Sequence, residues 1–300
     1  MSPNHLIFDR DLLTRRRERV AATATAHDFL LRRVAEDLAW RLSLITRAFP
    51  MAVNLGAHHG LVSRALRPLP GFDVVIDTET SPALLAQCDG PCLVADEEML
   101  PFAPRSLDLV VSGLALQFVN DLPGTLLQIE RALKPDGLFL GAMLGGQTLT
   151  ELRQALVAAE TETTGGASPR VAPFADVRDL GGLLQRAGFA LPVADSDLIE
   201  VAYPSALELM RDLRGMGGAN ALLERTRRPL RRTTLLRAME IYQERFARPD
   251  GRVTASFEIL TLTGWSPHTS QQRALRPGSA QSRLADALGV PEVGTGEAPK

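Results

Sequence analysis

Five short apolar runs, each closed by a turn residue and spaced by helix-length segments, constrain this 300-residue chain more than any other feature. Residues 52–55 run into Gly56, 73–76 end at Asp77, and 92–95 end at Asp96. Residues 107–112 are followed by Gly113, and 138–143 by Gly145-Gly146. Continuous apolar strands are those buried on both faces, and their alternation with helices predicts a parallel sheet covered on both sides. Helix candidates fill the gaps near 61–66, 82–87 and 123–133.

On either side of this core the pattern changes. Residues 1–47 read as an N-terminal helical segment, with Leu30, Val34, Leu38 and Leu42 at helical spacing. Helices are expected over 148–162 and 177–187, strands over 191–203 and 253–264, and two further helices near 205–214 and 233–247. After Trp265 the chain turns polar and rich in Gly, Ser, Pro and Arg, so 266–300 reads as a poorly ordered tail.

Composition excludes several classes. With 45% apolar and 23% charged residues the chain has the balance of a soluble globular protein. A net charge of −2 argues against bulk nucleic-acid binding, and no apolar run is long enough to predict a transmembrane segment. The first twenty residues lack a secretory h-region, and two cysteines cannot make a disulfide scaffold, so a reducing, cytoplasmic location is expected. Cys88 and Cys92 have no second ligand pair and read as ordinary thiols. His58 and His59, neighbours on a tight turn, are expected to point apart, so no metal site is predicted. No Gly-x-Ser-x-Gly setting marks a nucleophilic serine.

Open parallel sheets bind ligands at the carboxyl ends of their strands, near the reversal of strand order. Here the first strand runs into Asn54-Leu55-Gly56-Ala57-His58-His59-Gly60, a glycine-containing turn able to approach a ligand closely. The second ends at Asp77 with Thr78 beside it, where an acid can accept from ribose hydroxyls. The third ends at Asp96-Glu97, where a carboxylate can meet an exocyclic amine. In that order the three ends outline a nucleoside site.

Segments 72–77, 95–102, 107–112 and 133–137 (Leu-Lys-Pro-Asp-Gly) resemble the successive motifs of class I S-adenosylmethionine (SAM)-dependent methyltransferases. One subfamily resembles the chain more extensively: the methyltransferase-like assembly factors of respiratory complex I, a protein arginine hydroxylase group. That likeness starts at Phe8-Asp9-Arg10-Asp11-Leu12 and passes through Val119-Asn120-Asp121-Leu122-Pro123 and Gly141-Ala142-Met143. It continues through Gly165-Gly166 and Gly215-Met216-Gly217 to 259–265, covering most of the chain except the tail.

The resemblance implies an α/β, Rossmann-like fold of seven strands, the last antiparallel to the sixth. Its methyltransferase-like domain would span 48–265, with a helical insertion at about 205–247 acting as a lid. It implies a SAM-dependent methyltransferase or methyltransferase-like enzyme acting on a protein or small-molecule acceptor. Gly56, Ala57 and His58 would hold the methionine end, Asp77 and Thr78 the ribose, Asp96 and Glu97 the adenine edge, and Leu114 the base face. No catalytic residue is identified. The loop departs from the family pattern: Asn54 stands at its acid position and His58 at its middle glycine, which predicts weakened SAM binding. The same resemblance implies two alternatives, hydroxylation of an arginine on a complex I subunit and a non-catalytic assembly chaperone.

Three features lie outside that scheme. Arg15-Arg16-Arg17 with Arg19, and the run 225–232, read as solvated basic faces able to meet carboxylates or an acidic partner. Tyr203 and Tyr242 are candidate substrate contacts, and Gly215-Met216-Gly217-Gly218 is a candidate hinge.

Overall fold

The computed structural model describes residues 6–272, 279 and 282–291. Helix α1 (Arg10–Val20) begins where the Asp9 side chain accepts from Leu12 N, and a 3-10 turn over Ala21–His27 leads into α2 (Phe29–Ser43). The core follows as β1 (Met51–Leu55), α3 (Leu61–Leu66), β2 (Val74–Glu79), α4 (Pro82–Leu85), β3 (Cys92–Val94), β4 (Leu107–Gly113), α5 (Leu122–Ala132) and β5 (Leu133–Leu144). Then come α6 (Thr150–Thr164), α7 (Val177–Arg186), β6 (Ala190–Tyr203), α8 (Ala206–Gly215), α9 (Arg232–Phe246) and β7 (Val253–Trp265). Side-chain caps start several of these helices: Ser81 accepts from Leu84 N, Asp121 from Gly124 N and Ser205 from Glu208 N.

The seven strands form one sheet in the order β3-β2-β1-β4-β5-β7-β6. Strands β1 to β5 pair in parallel, while β7 enters between β5 and β6 and runs antiparallel to both. This is the Rossmann-like arrangement expected. The order reverses between β1 and β4, which puts the ligand-binding crevice of such a sheet at their carboxyl ends.

Alternate strand residues serve opposite faces. Leu109, Val111, Leu138 and Leu140 pack with Val34 and Leu38 of α2 and with Leu156 of α6. Val110 and Phe139 pack with Leu126 and Ile129 of α5 and with Leu180 and Leu184 of α7. Each such leucine contributes about 1.5–3 kcal/mol by leaving water, which anchors the strand ends that carry the site.

Over those ends the N-terminal segment and the β6–β7 connection are laced together. Phe8 bridges Leu222, Asp9 N donates to Ala221 O at 2.8 Å, and Leu223 N donates to Ile7 O at 2.9 Å. Arg16 Nη1 donates to the carbonyls of Ala219 and Asn220, and Arg225 pairs with Asp9 at 3.0 Å.

Among the described residues, one compact unit runs to Pro267, and a second begins at His268 and includes a short helix over Leu284–Leu288. Residues 273–278, 280–281 and 292–300 of the expected tail lie outside the described residues.

Candidate functional site

A cavity of about 390 Å³ opens at the carboxyl ends of β1 and β4. Gly56, His58 and Leu114 line it from the strand-end loops, Arg17 from α1, Leu152 from α6 and Met210 from α8. Gly56 has φ +67°, and a Cβ there would overlap that of Ala115, so the turn admits only glycine. Ala57 N donates to Thr78 O at 2.7 Å, which closes the loop against β2. Leu114 also has positive φ, +56°, and its N–H donates to Ala142 O.

His58 carries its side chain at φ +55°, a conformation histidine tolerates better than most residues. Burial, with Arg17 close by, pushes its pKa down to about 4, so the imidazole is neutral at pH 7. The His58 backbone N–H donates to Glu79 Oε2 at 3.0 Å. The two neighbouring imidazoles do not point apart as expected: their Nδ1 atoms lie 2.8 Å from each other, and His59 Nε2 lies 3.1 Å from Asp28 Oδ2. The left-handed turn at His58 swings both rings to one side.

The acid at the end of β2 also needs correction. Asp77 is fully buried and does not line the cavity. It accepts from Asn54 Nδ2 at 2.8 Å, from Ser63 Oγ, and from Arg67 Nη2 at 3.3 Å. It ties β1 to α3 beneath the loop and is not positioned to meet a ribose. Asn54 is committed to the same network, with its Oδ1 buried and unpartnered among the described residues. Thr78 is buried likewise, with Oγ1 3.3 Å from Asn54 O.

The strand continues to Glu79, which takes the place expected for Asp77. Glu79 Oε1 accepts from Arg17 Nη1 at 2.9 Å and from Thr80 N at 2.9 Å. Burial is the largest influence and opposes the charge, but Arg17, His58 and the hydrogen bonds from Thr80 and the His58 backbone together outweigh it and hold the carboxyl below its usual range. Arg17 is therefore no solvated residue: one turn after Leu13, it shares the buried face of α1.

Asp96 and Glu97 meet at the neighbouring edge, as their adjacency suggests, but around a guanidinium. Arg10 pairs with Glu97 and, at 2.7 Å, with Asp96, while Glu97 Oε1 stays buried without a hydrogen-bond partner among the described residues. Burial pushes the Glu97 carboxyl up despite Arg17 and Arg10. Glu79, Arg10 and Arg17 are the residues sequence reasoning missed.

The tyrosines stand apart from the cavity. Tyr203 donates to Asp212 Oδ2 and Tyr242 to Thr254 O, each at 2.7 Å, so both hydroxyls serve the scaffold. Asp77, Cys88 and Cys92 bring their ligating atoms within 4.8 Å of one another, which the sequence spacing did not suggest. Burial, then the Asp77 charge, pushes the Cys88 thiol up to about 12, so this group presents a protonated sulfur beside an already bonded carboxylate.

A methyltransferase-domain family model matches residues 53–141. The mitochondrial arginine-hydroxylase NDUFAF5 of Danio rerio is 40% identical over 286 residues, covering 93% of this chain and 89% of that protein. The human protein of that name is 43% identical, covering 93% and 83%. The chain belongs to this family. A malonyl-[acyl-carrier protein] O-methyltransferase of Laribacter hongkongensis is 35% identical, covering 87% of this chain and 91% of that one. Among solved structures, the YcgJ protein of Bacillus subtilis shares the fold at a TM-score of 0.54 and 12% identity, over 77% of this chain and 98% of that chain.

The family is thus one of methyltransferase-fold enzymes. It overturns the expected cytoplasmic location, since the NDUFAF5 relatives are named as mitochondrial. A low cysteine count reports only a reducing environment, which is not unique to the cytoplasm. No described helix is long and apolar enough to cross a membrane.

Proposed function

We propose that this chain is a methyltransferase-like enzyme directed at an arginine side chain of a protein, a respiratory complex I subunit. The observation that carries this reading is Arg17: the acid at the β2 end, where a methyltransferase would hold a ribose, is bonded to a guanidinium. The arginine-hydroxylase name of the NDUFAF5 relatives supports the same target. The reaction it favours inserts one oxygen atom of dioxygen, the other leaving as water with two electrons from a reductant.

SAM, the cofactor implied by the fold, does not fit these residues in this arrangement. Glu79 already accepts from Arg17, His58 N and Thr80. The His58 ring occupies the loop where backbone would approach the cofactor, and Arg17 adds a positive charge beside a positively charged ligand. Methyl transfer is the second reading, favoured by the glycine-only turn at Gly56 and by the O-methyltransferase relative. Peptide mass spectrometry of a complex I subunit, incubated with the protein under air plus reductant or with SAM, separates these readings. A gain of one oxygen on arginine is expected; a gain of one methyl favours the second reading, and no change with either favours the assembly chaperone.

A further inference from the structure

We propose that Glu79, Glu97 and the Phe118 ring form a guanidinium-binding subsite, that Arg17 fills it in the free protein, and that a substrate arginine takes its place. The inference rests on the arginine-directed reading for the identity of its ligand.

The three groups surround one guanidinium. Arg17 Nη1 lies 2.9 Å from Glu79 Oε1 and 3.8 Å from Glu97 Oε1, and its Cζ sits 6.0 Å from the Phe118 ring centroid. Two carboxylates and an aromatic face match the charge and the flat π-surface of this cation. A ribose needs neither a second carboxylate nor a counter-cation.

Arg17 fits the subsite incompletely. Its single hydrogen bond among the described residues is the one to Glu79, although a guanidinium carries five donors. Glu97 supplies the acceptor left over: its side chain is 2% exposed, and Oε1, 3.8 Å from Arg17 Nη1, has no hydrogen-bond partner among the described residues while Arg10 secures Oε2. Reaching in from α1, Arg17 stops at a hydrogen bond to one carboxylate. Arg17 and Phe118 line the cavity while Glu79 and Glu97 lie buried behind them, so a side chain entering there reaches the carboxylates once Arg17 moves aside. A substrate arginine arriving by that route can present its fork to both carboxylates, the stronger geometry.

Two measurements test this. In the Arg17→Ala variant, millimolar guanidinium ion should raise the thermal midpoint, whereas sodium or ammonium should not. Adding Glu79→Gln should cancel the effect. In calorimetric titration, a capped arginine tripeptide should bind Arg17→Gln at least about tenfold more tightly than wild type, and its citrulline counterpart should show no gain. If these variants fail to fold, hydrogen exchange on the wild-type protein decides: the arginine peptide, but not the citrulline one, should speed exchange in α1 by displacing Arg17.

Equal binding of arginine and citrulline peptides overturns the subsite, as does a gain for SAM in place of the peptide in Arg17→Gln. Oxygen insertion on a subunit arginine without any gain in Arg17→Gln removes the subsite and leaves the proposed function standing. Modification of a residue other than arginine removes both.

Discussion

Asp77 and Glu79 leave β2 on the same face, two residues apart, and both are sealed from solvent. Asp77 is met by the neutral donors of Asn54 and Ser63, with Arg67 only at 3.3 Å, and burial wins: its carboxyl titrates above the usual range. Glu79 is met by Arg17 at 2.9 Å and titrates below it. A close guanidinium helps to set the two carboxyls shifting in opposite directions. The first acid is a strut between β1 and α3; the second is bonded to a residue of the cavity wall.

The comparison breaks most visibly if Glu79 is neutralised. Glu79→Gln strands the buried Arg17 cation, and a loss of about 3–5 kcal/mol is expected in denaturant unfolding. A loss below about 1 kcal/mol would mean that Arg17 finds water or another partner. Replacing both partners, Arg17→Met with Glu79→Leu, should recover most of that loss, because a well-packed apolar pair removes two desolvation costs at once. A double variant as unstable as Glu79→Gln would make the pair an indispensable part of the fold.

The pH dependence of stability sharpens the contrast because the signs oppose. The folded Glu79 value lies below the ordinary 4.5, so its contribution is present above that pH and fades as pH falls through the folded value. The folded Asp77 value lies above the ordinary 3.8, so its ionisation costs stability as pH rises from there through the folded value. Urea midpoints measured from roughly pH 3 to pH 7 should show the acid-side loss flattened in Glu79→Gln. Asp77→Asn should instead remove a decline seen on raising the pH. The smallest effect is expected at Cys88, whose thiol is held up first by burial and then by the Asp77 charge. Asp77→Asn should speed its alkylation by a few-fold; an unchanged rate would show that Asp77 is not ionised beside it.

The parallel strands were legible because strands of this kind are apolar and end in turns. The site was legible only in outline. The apolar run in the second strand stops at Ile76, so Asp77 read as its end, yet pairing with β3 carries the strand through polar Thr78 to Glu79. Hydrophobicity cannot report a strand that continues by hydrogen bonding alone. Arg17 was hidden for a similar reason: an arginine among arginines reads as solvated, and only its position four residues after Leu13 marks the buried face. His58 was legible as an intruder in a glycine turn, but not the contact between its ring and that of His59.

The bridge between Phe8 and Leu222 joins residues more than two hundred positions apart, and β7 completes the sheet only at Trp265. During synthesis the strands β1 to β5 and the N-terminal helices emerge before the β6–β7 connection that completes the cavity wall. Non-local pairings of this kind form late, because closing so long a loop costs entropy before any contact repays it. A truncated or stalled chain that ends before residue 222 lacks the bridge that ties the N-terminal segment to the β6–β7 connection. The Phe8–Leu222 bridge can therefore form only after synthesis has passed Leu222.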